Sequence, residues 1–459
     1  MEGLEVVEVQ RNELNDEFRI DAQYFQKRYL LEDACRRNFN TVPLGSQAFI
    51  TDGPHGYHEV DPSSTIAMLT AKCAKMWFAS RDGADTISLG THQSNQRSSL
   101  NVEDLILSTR GTVGACAIVE ENILPANIDQ DVARIAVYQG ACVSPKYLLA
   151  YLNSCFGYDW IIRNSTGMVQ QGLSLAKVRN LPIPILSTEL QDKISKLIDL
   201  ASHTRQLSVG LSTQAETTLL RALGLENWQA PEPLSYIRDS REAFAAGRLD
   251  AEFFTPRVKD MLARLGRDGL TILDVAPARK ERFIPATNGD FHYIEIGNLG
   301  TDGTAQAEYL PQREAPSRAT QYVRAGDVIT STVRPIRRLS AVIDAGQDGF
   351  VCSSGFVVLQ PRAIRSDVLL TYLRLPPVCA LMDLHTSASM YPAISETDLL
   401  SLPIPNIPVD IQQTIEKSAL AARQAKQRAT QLLDAAKRAV EIAIERDEKT
   451  ALEYLEEIS

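Results

Sequence analysis

The stretch VRPIRR, residues 333–338, holds Arg334, Arg337 and Arg338, the densest positive group in the chain. Guanidinium forks suit phosphate oxygens and guanine edges, so three of them at the end of a strand-like run fit a nucleic-acid contact. ARKERF adds Arg279, Lys280 and Arg282, and Asn288, Asn298 and Tyr391 stand as loop readers or stackers. The first half offers His55, Lys72, Lys75, Arg81, Arg97, Arg110, Gln170, Gln171 and Lys177. A solvated surface charge is the plain alternative for each. Gly and Pro around His55 also suit a tight turn.

Residue types for catalysis are not assembled in the same way. The sequence has no Walker A loop, glycine-rich dinucleotide fingerprint, H-E-x-x-H site or G-x-S-x-G elbow. NLPIP at Asn180 superficially matches an amino-methyltransferase N-P-P-Y, but one proline is displaced and no aromatic follows to stack a flipped base. Its twin begins with Ser401 instead of asparagine. Six scattered histidines give no ligand cluster. The chain is therefore read as non-catalytic, with no metal, no bound cofactor, and chemistry left to partners.

An internal repeat must position the candidate residues. FRIDAQYFQKR from Phe18 matches GRLDAEFFTPR from Gly247, DLILSTRG from Asp104 matches DVITSTVRP from Asp327, and LPIP at Leu181 recurs at Leu402. Three blocks in the same order make a tandem duplication. Residues 50–103 hardly resemble 279–326, so one scaffold is expected to present two different surfaces.

After each LPIP the period becomes helical. A 4/3 seam runs from Leu190 through Ile194, Leu197, Ala201, Thr204, Ser208, Leu211, Ala215, Thr218 and Ala222. Its copy runs from Ile411 through Ile415, Ser418, Ala422, Ala425, Ala429, Leu432, Ala436, Ala439 and Ala443. Such heptads specify supercoiled helix pairing. Thr188 and Gln191 fit a capping box, and Gly210 marks a possible bend. A helix of roughly 36 residues reaches about 54 Å. Between the blocks, short strands such as DLILST and GFVVLQP alternate with helices such as SPKYLLAYLNS. The fold class read from these runs is α+β: a duplicated α/β unit, each copy followed by a long helix whose first coiled-coil partner is the other copy's helix.

Composition sets the remaining bounds. With 44% hydrophobic and 23% charged residues, the chain is ordinary globular protein. No apolar run is long enough for a membrane span, and the acidic start does not resemble a signal peptide. Seven cysteines without C-x-x-C spacing fit reduced thiols, and the expected location is cytoplasmic. The net charge of −10 sits at the ends: residues 1–17 and 441–459 each carry −5. The body is near neutral and can still carry a basic face.

The duplicated order D-A-x-[YF]-F, divergent middle, D-x-[LI]-x-S-T and LPIP-x6-Q before a long helix resembles the specificity (S) subunit of type I restriction-modification systems. FITDGPHGY at Phe49, STGMVQQGLSLAKVRNLPIP at Ser165 and SASMYPAISETDLLSLPIP at Ser387 look like parts of that family's target recognition domains. The resemblance covers nearly the whole chain. It implies tandem α/β target recognition domains at 1–186 and 235–407, separated by two long antiparallel coiled-coil spacer helices at 187–225 and 408–459, with a linker at 226–234. It further implies a gapped, bipartite site in double-stranded DNA, two methyltransferase (M) subunits docked on helices that include Leu190, Ile194, Leu197, Ile411, Ile415, Ala422 and Leu432, and recruitment of a restriction-translocation (R) subunit. S-adenosylmethionine would bind the methyltransferase partner, not this chain, and no membrane is involved. One departure is Tyr391-Pro392 where the first copy has Gln170-Gln171. The alternatives are a coiled-coil scaffold or adaptor of a related phage-defence system, and a stand-alone DNA-modifying enzyme.

Overall fold

The computed structural model describes residues 7–9, 21–56, 58–167, 172–300, 302–387 and 392–458. Two compact units emerge: Met1–His203 with Arg428–Ser459, and Thr204–Gln427. Both are mixed α/β.

In the first unit a five-stranded sheet runs in the order Ala48–Asp52, Val132–Val137, Leu105–Ser108, Cys116–Ile118, Trp77–Phe78. A three-stranded sheet of Asp85–Ile87, Ile66–Leu69 and Ala126–Ile128 stands beside it. In the second unit the sheets are Glu308–Pro311, Asp290–Ile294, Val351–Ser353, Ala319–Tyr322 and, separately, Ser340–Val342, Val328–Ser331, Phe356–Leu359.

Duplication is visible in register, not only in element order. Leu105 pairs with Ile118 and Ile135; its twin Val328 pairs with Val342 and Leu359. The same central antiparallel trio therefore forms twice. Its central strand, Leu105–Ser108 in one copy and Val328–Ser331 in the other, is buried at every position. The helices Pro145–Asn153 and Ser366–Arg374 follow, with Leu148, Leu149, Leu369 and Leu373 fully buried. Fully burying such side chains contributes about 1.5–3 kcal/mol each.

The repeated LPIP has a physical explanation in these contacts. The Tyr151 hydroxyl donates to the Pro182 carbonyl at 2.7 Å, and Tyr372 donates to the equivalent Pro403 carbonyl. Leu44 N–H reaches the Leu181 carbonyl and Ile272 N–H the Leu402 carbonyl, both at 2.9 Å. The prolines bring no N–H, so each LPIP presents mostly carbonyls to be paired; of its remaining N–H groups, that of Ile404 donates to the Leu270 carbonyl at 3.0 Å.

The glutamine that follows acts differently from the expected capping box. Gln191 Oε1 accepts from Ser144 N–H (2.8 Å), while its Nε2 donates to the Leu186 and Cys142 carbonyls. Gln412 Oε1 accepts from Arg365 N–H (3.0 Å) and its Nε2 donates to the Ile407 carbonyl (2.9 Å). Each amide clamps the LPIP exit to the start of the preceding helix. A side chain so engaged cannot reach back to its own helix terminus. That terminus is served instead by Ser187, whose hydroxyl accepts from Leu190 N–H.

The long helices are Thr188–Leu223 and Val409–Glu445, and the unit boundary falls inside both. Thr188–Leu223 continues unbroken through Gly210. No seam position of either helix is exposed. In the first unit Leu190, Ile194, Leu197 and Ala201 share a core with Leu432, Ala436, Ala439 and Ala443. In the second, Ala215 and Leu219 share one with Ile415, Ile411 packs against it, and the Ser208 hydroxyl donates to the Ala422 carbonyl at 2.7 Å. Early residues of one helix meet late residues of the other, so within each unit the pairing is antiparallel. No described helix is long and apolar enough to cross a membrane.

Candidate nucleic-acid interface

Each central strand ends in S-T and runs into a rim loop tied to the segment preceding LPIP. In the first unit Arg110 bridges Gly172, and Leu173 N–H donates to the Thr109 carbonyl (2.9 Å). In the second, Val333 bridges Ala393 and Ile394 N–H donates to the Thr332 carbonyl (3.0 Å). Thr109 N–H and Thr332 N–H then donate, both at 2.9 Å, to the carbonyls of Asp131 and Gly355. One backbone frame thus holds both loops.

Within the first unit's loop region, Arg110 is half-exposed and pairs with Asp131 at 3.3 Å. His55 and Arg97 are exposed and converge on Asp52, at 3.0 and 3.6 Å. Lys72 is exposed and makes no ion pair with a described residue; Lys75 is held by Asp82 at 2.8 Å. Arg81 is engaged elsewhere: its guanidinium donates to the carbonyls of Ile123, Thr65 and Pro125, bracing a loop from within. Lys177 lies half-buried on the helix Leu175–Asn180. Gln170 and Gln171 lie outside the described residues, as does Tyr391.

The VRPIRR residues are divided among three tasks. Arg334 and Arg338 both adopt left-handed backbone, φ 50° and 59°, on either side of the short turn Pro335–Arg337. Arg334 N–H donates to the Pro392 carbonyl (2.9 Å). Arg338 reaches Glu216 and the Arg374 carbonyl, fastening the loop to the unit's helices. Arg337 points out, exposed and without an ion pair to a described residue. Arg279 grips Asp327 with two bonds of 2.7 and 2.9 Å. Lys280 pairs with Glu396. Arg282 and Asn288 are exposed, and Asn298 ends the turn Ile296–Asn298, half-buried.

Two acids that sequence reasoning passed over belong to this geometry. Asp104 and Asp327 open the duplicated D-x-[LI]-x-S-T block, and each is buried beside one arginine: Arg134 at 2.8 Å in the first unit, Arg279 in the second. A duplicated acid heading an apolar strand was the available signal, since a buried carboxylate requires a cation. Asp129 was also missed. Burial pushes its carboxyl up to about 6; the bond it accepts from Asp131 N–H opposes the rise more than the Asp131 charge adds to it, and His58 and Arg110 oppose it further. Gly53 lies close against the backbone of this turn: its N–H donates to the Asp129 carbonyl (3.1 Å), and a Cβ there would meet Ile128 backbone at 1.8 Å.

The seam residues named for partner binding lie inward. Leu190, Ile194, Leu197, Ile415, Ala422 and Leu432 are buried in the chain's own cores, and Ile411 packs half-buried against one. A second protein chain would have to use other faces of these helices. Among the described residues no histidine, cysteine and carboxylate group forms a metal site.

No protein-family model and no curated protein matches the sequence. Among solved structures, the chain is similar to the S subunit of a type I restriction-modification system from M. genitalium. The likeness has 11% identity, spans 91% of this chain and 96% of that one, and gives a TM-score of 0.44. It is also similar to a chain in a structure describing assembly and conformational transition of the type I R-M system, with 18% identity, 91% and 97% coverage, and a TM-score of 0.29. An HsdS subunit from Thermoanaerobacter tengcongensis is similar at 17% identity, 89% and 97% coverage, and a TM-score of 0.28.

Proposed function

We propose that this chain is the non-catalytic DNA sequence-specificity subunit of a type I restriction-modification complex. Each unit reads one half of a gapped site, and the complex positions adenine methyltransferase subunits over that site. The observation that carries this reading is the pair of rim loops: one backbone frame, built twice, with different side chains on it. A duplicated structural or enzymatic domain has no reason to hold its frame so closely while changing what the frame presents. A reader of two unlike half-sites does.

The M subunits, the R subunit and S-adenosylmethionine bound by the M partner follow from the sequence resemblance. Since the seam is buried, the M subunits dock on outward helix faces. Sequencing the methylome with and without the gene tests the whole reading. A gapped adenine motif that disappears with the gene supports it; an unchanged methylome rejects it, and stable partner complexes without sequence-selective binding would leave the scaffold alternative.

Arg337→Ala tests the second head by titration of the assembled complex with cognate and altered duplexes. Uniform loss across sequences assigns Arg337 to phosphate. Relaxed discrimination at one position, by about 1–3 kcal/mol, assigns it to a guanine. Unchanged binding removes it from the interface.

A further inference from the structure

The second unit carries a groove of about 700 Å³ that adjoins the VRPIRR loop at Ile336 and has none of that loop's arginines in its lining. Its apolar lining includes Pro233, Tyr236, Met261, Ile336, Pro377 and Leu384. Two arginines on its wall are already neutralised: Arg248 by Asp250 at 2.8 Å and Arg257 by Glu232 at 3.4 Å. Two further lining carboxylates, Glu252 and Asp383, are exposed and have no cationic partner among the described residues. The groove is therefore apolar with residual negative charge.

The chain segment forming one side of it is apolar and uncovered. Leu234, Ile237, Phe244 and Leu249 are each at least 79% exposed, and Ile336 in the groove is 58% exposed. Four large apolar side chains in so short a stretch mark a contact surface and not scattered surface residues.

We propose that this groove and its flanking segment bind a segment of a partner protein in which lysine or arginine alternates with apolar side chains. Charge complementarity selects that occupant. DNA phosphate would meet Glu252 and Asp383 as like charges, and so would the acidic residues 1–17, whose net charge is −5. An apolar segment with cations satisfies both the lining and the two free carboxylates.

The test uses the full chain and two fluorescent peptides, one alternating leucine with lysine and one alternating leucine with glutamate, followed by anisotropy. The leucine-lysine peptide should bind and the leucine-glutamate peptide should not. Glu252→Lys with Asp383→Lys should weaken binding about tenfold, and Ile336→Ser should weaken it independently. Asp434→Lys with Glu457→Lys makes the same change in net charge at exposed positions of the other unit and should leave binding intact. Circular dichroism verifies that each variant is folded. Equal weakening by both charge pairs would mean non-specific attraction to an acidic protein and overturn the proposal, as would binding of both peptides alike. Self-association abolished by the groove variants, without peptide binding, would assign the groove to a second copy and also overturn it.

Discussion

The rim loops of the two units hang from one backbone frame and carry opposite charge. The first loop has Gly111 and Gly114, both at positive φ, where the second has Arg334 and Arg338 in the same left-handed region. The segment facing them contributes Asp129 and Asp131 in the first unit, and Ser353 and Gly355 in the second. One arginine facing two acids becomes three arginines, of which Arg338 is held by Glu216 from the helix Thr188–Leu223. Because the frame is held by carbonyls and N–H groups, side chains can be exchanged without moving it. Two arginines kept at φ values that glycine adopts without cost indicate that the second loop's cations are retained against backbone strain.

The same comparison extends to the buried acid, and its removal carries the largest expected effect. In the first unit the cation on Asp104 is Arg134, in the middle of a strand; the equivalent strand position in the second unit is Val358. There Arg279 supplies the charge instead, and its own N–H donates to the Val358 carbonyl at 2.8 Å. Arg279→Ala strands Asp327, which is 4% exposed, and should cost about 3–5 kcal/mol in denaturant unfolding. Adding Val358→Arg restores the first unit's arrangement and should recover about half of that loss. No recovery would show that the two cores have diverged beyond exchange of the pair.

Gly114→Arg transplants the second loop's residue into the first and ranks next. A Cβ there would stand 2.9 Å from Tyr158 Cε2, at φ 95°. Strain and overpacking together should cost about 3 kcal/mol. In the second unit Cys379 stands where Tyr158 stands in the first, leaving room beside Arg338. Tyr158→Cys in the Gly114→Arg background should therefore return the packing part and leave only the backbone part, measured as two separate shifts in unfolding midpoint.

Where the frames agree, the effects should agree too. Gln191→Leu and Gln412→Leu each leave buried backbone groups unpaired and should each cost about 2 kcal/mol. A large inequality between them, measured by the same unfolding titration, would mean the LPIP clamp is structural in one unit and incidental in the other.

These exchanges explain what could be read from the chain alone. The duplication and both helical seams were legible, since identity at a constant shift and a 3.5-residue period are local properties. Gln191 was misread because Thr188 and Gln191 have the right spacing for a cap. Nothing nearby in sequence announces that the amide would be needed by Ser144, 47 residues away. VRPIRR read as one positive cluster, but Glu216 and the Arg374 carbonyl divide it, and both lie far off in the chain. Arg81 looked like a reader for the same reason: sequence shows a charge, whereas only the fold shows which carbonyls surround it. The family resemblance rested on block order, which survives divergence of every residue between the blocks.

The smallest effect concerns Asp129, where the first rim has a titrating group and the second has Ser353. A carboxyl raised from 3.8 to about 6 favours the neutral form in the fold. Its contribution to stability is therefore full below about pH 4 and is lost as pH rises through about 6. Asp129→Asn keeps the acceptor for Asp131 N–H, now 3.0 Å from Oδ1, and removes the charge. Because the site is only partly buried, screening trims the gain to about 1 kcal/mol. The variant should be more stable than the parent at pH 8 and indistinguishable from it at pH 4. A constant difference across that range would show that packing, not the proton, distinguishes the two side chains. A parent more stable at pH 8 would show that Arg110 and His58 outweigh burial and that the first rim carries its acids as settled charges.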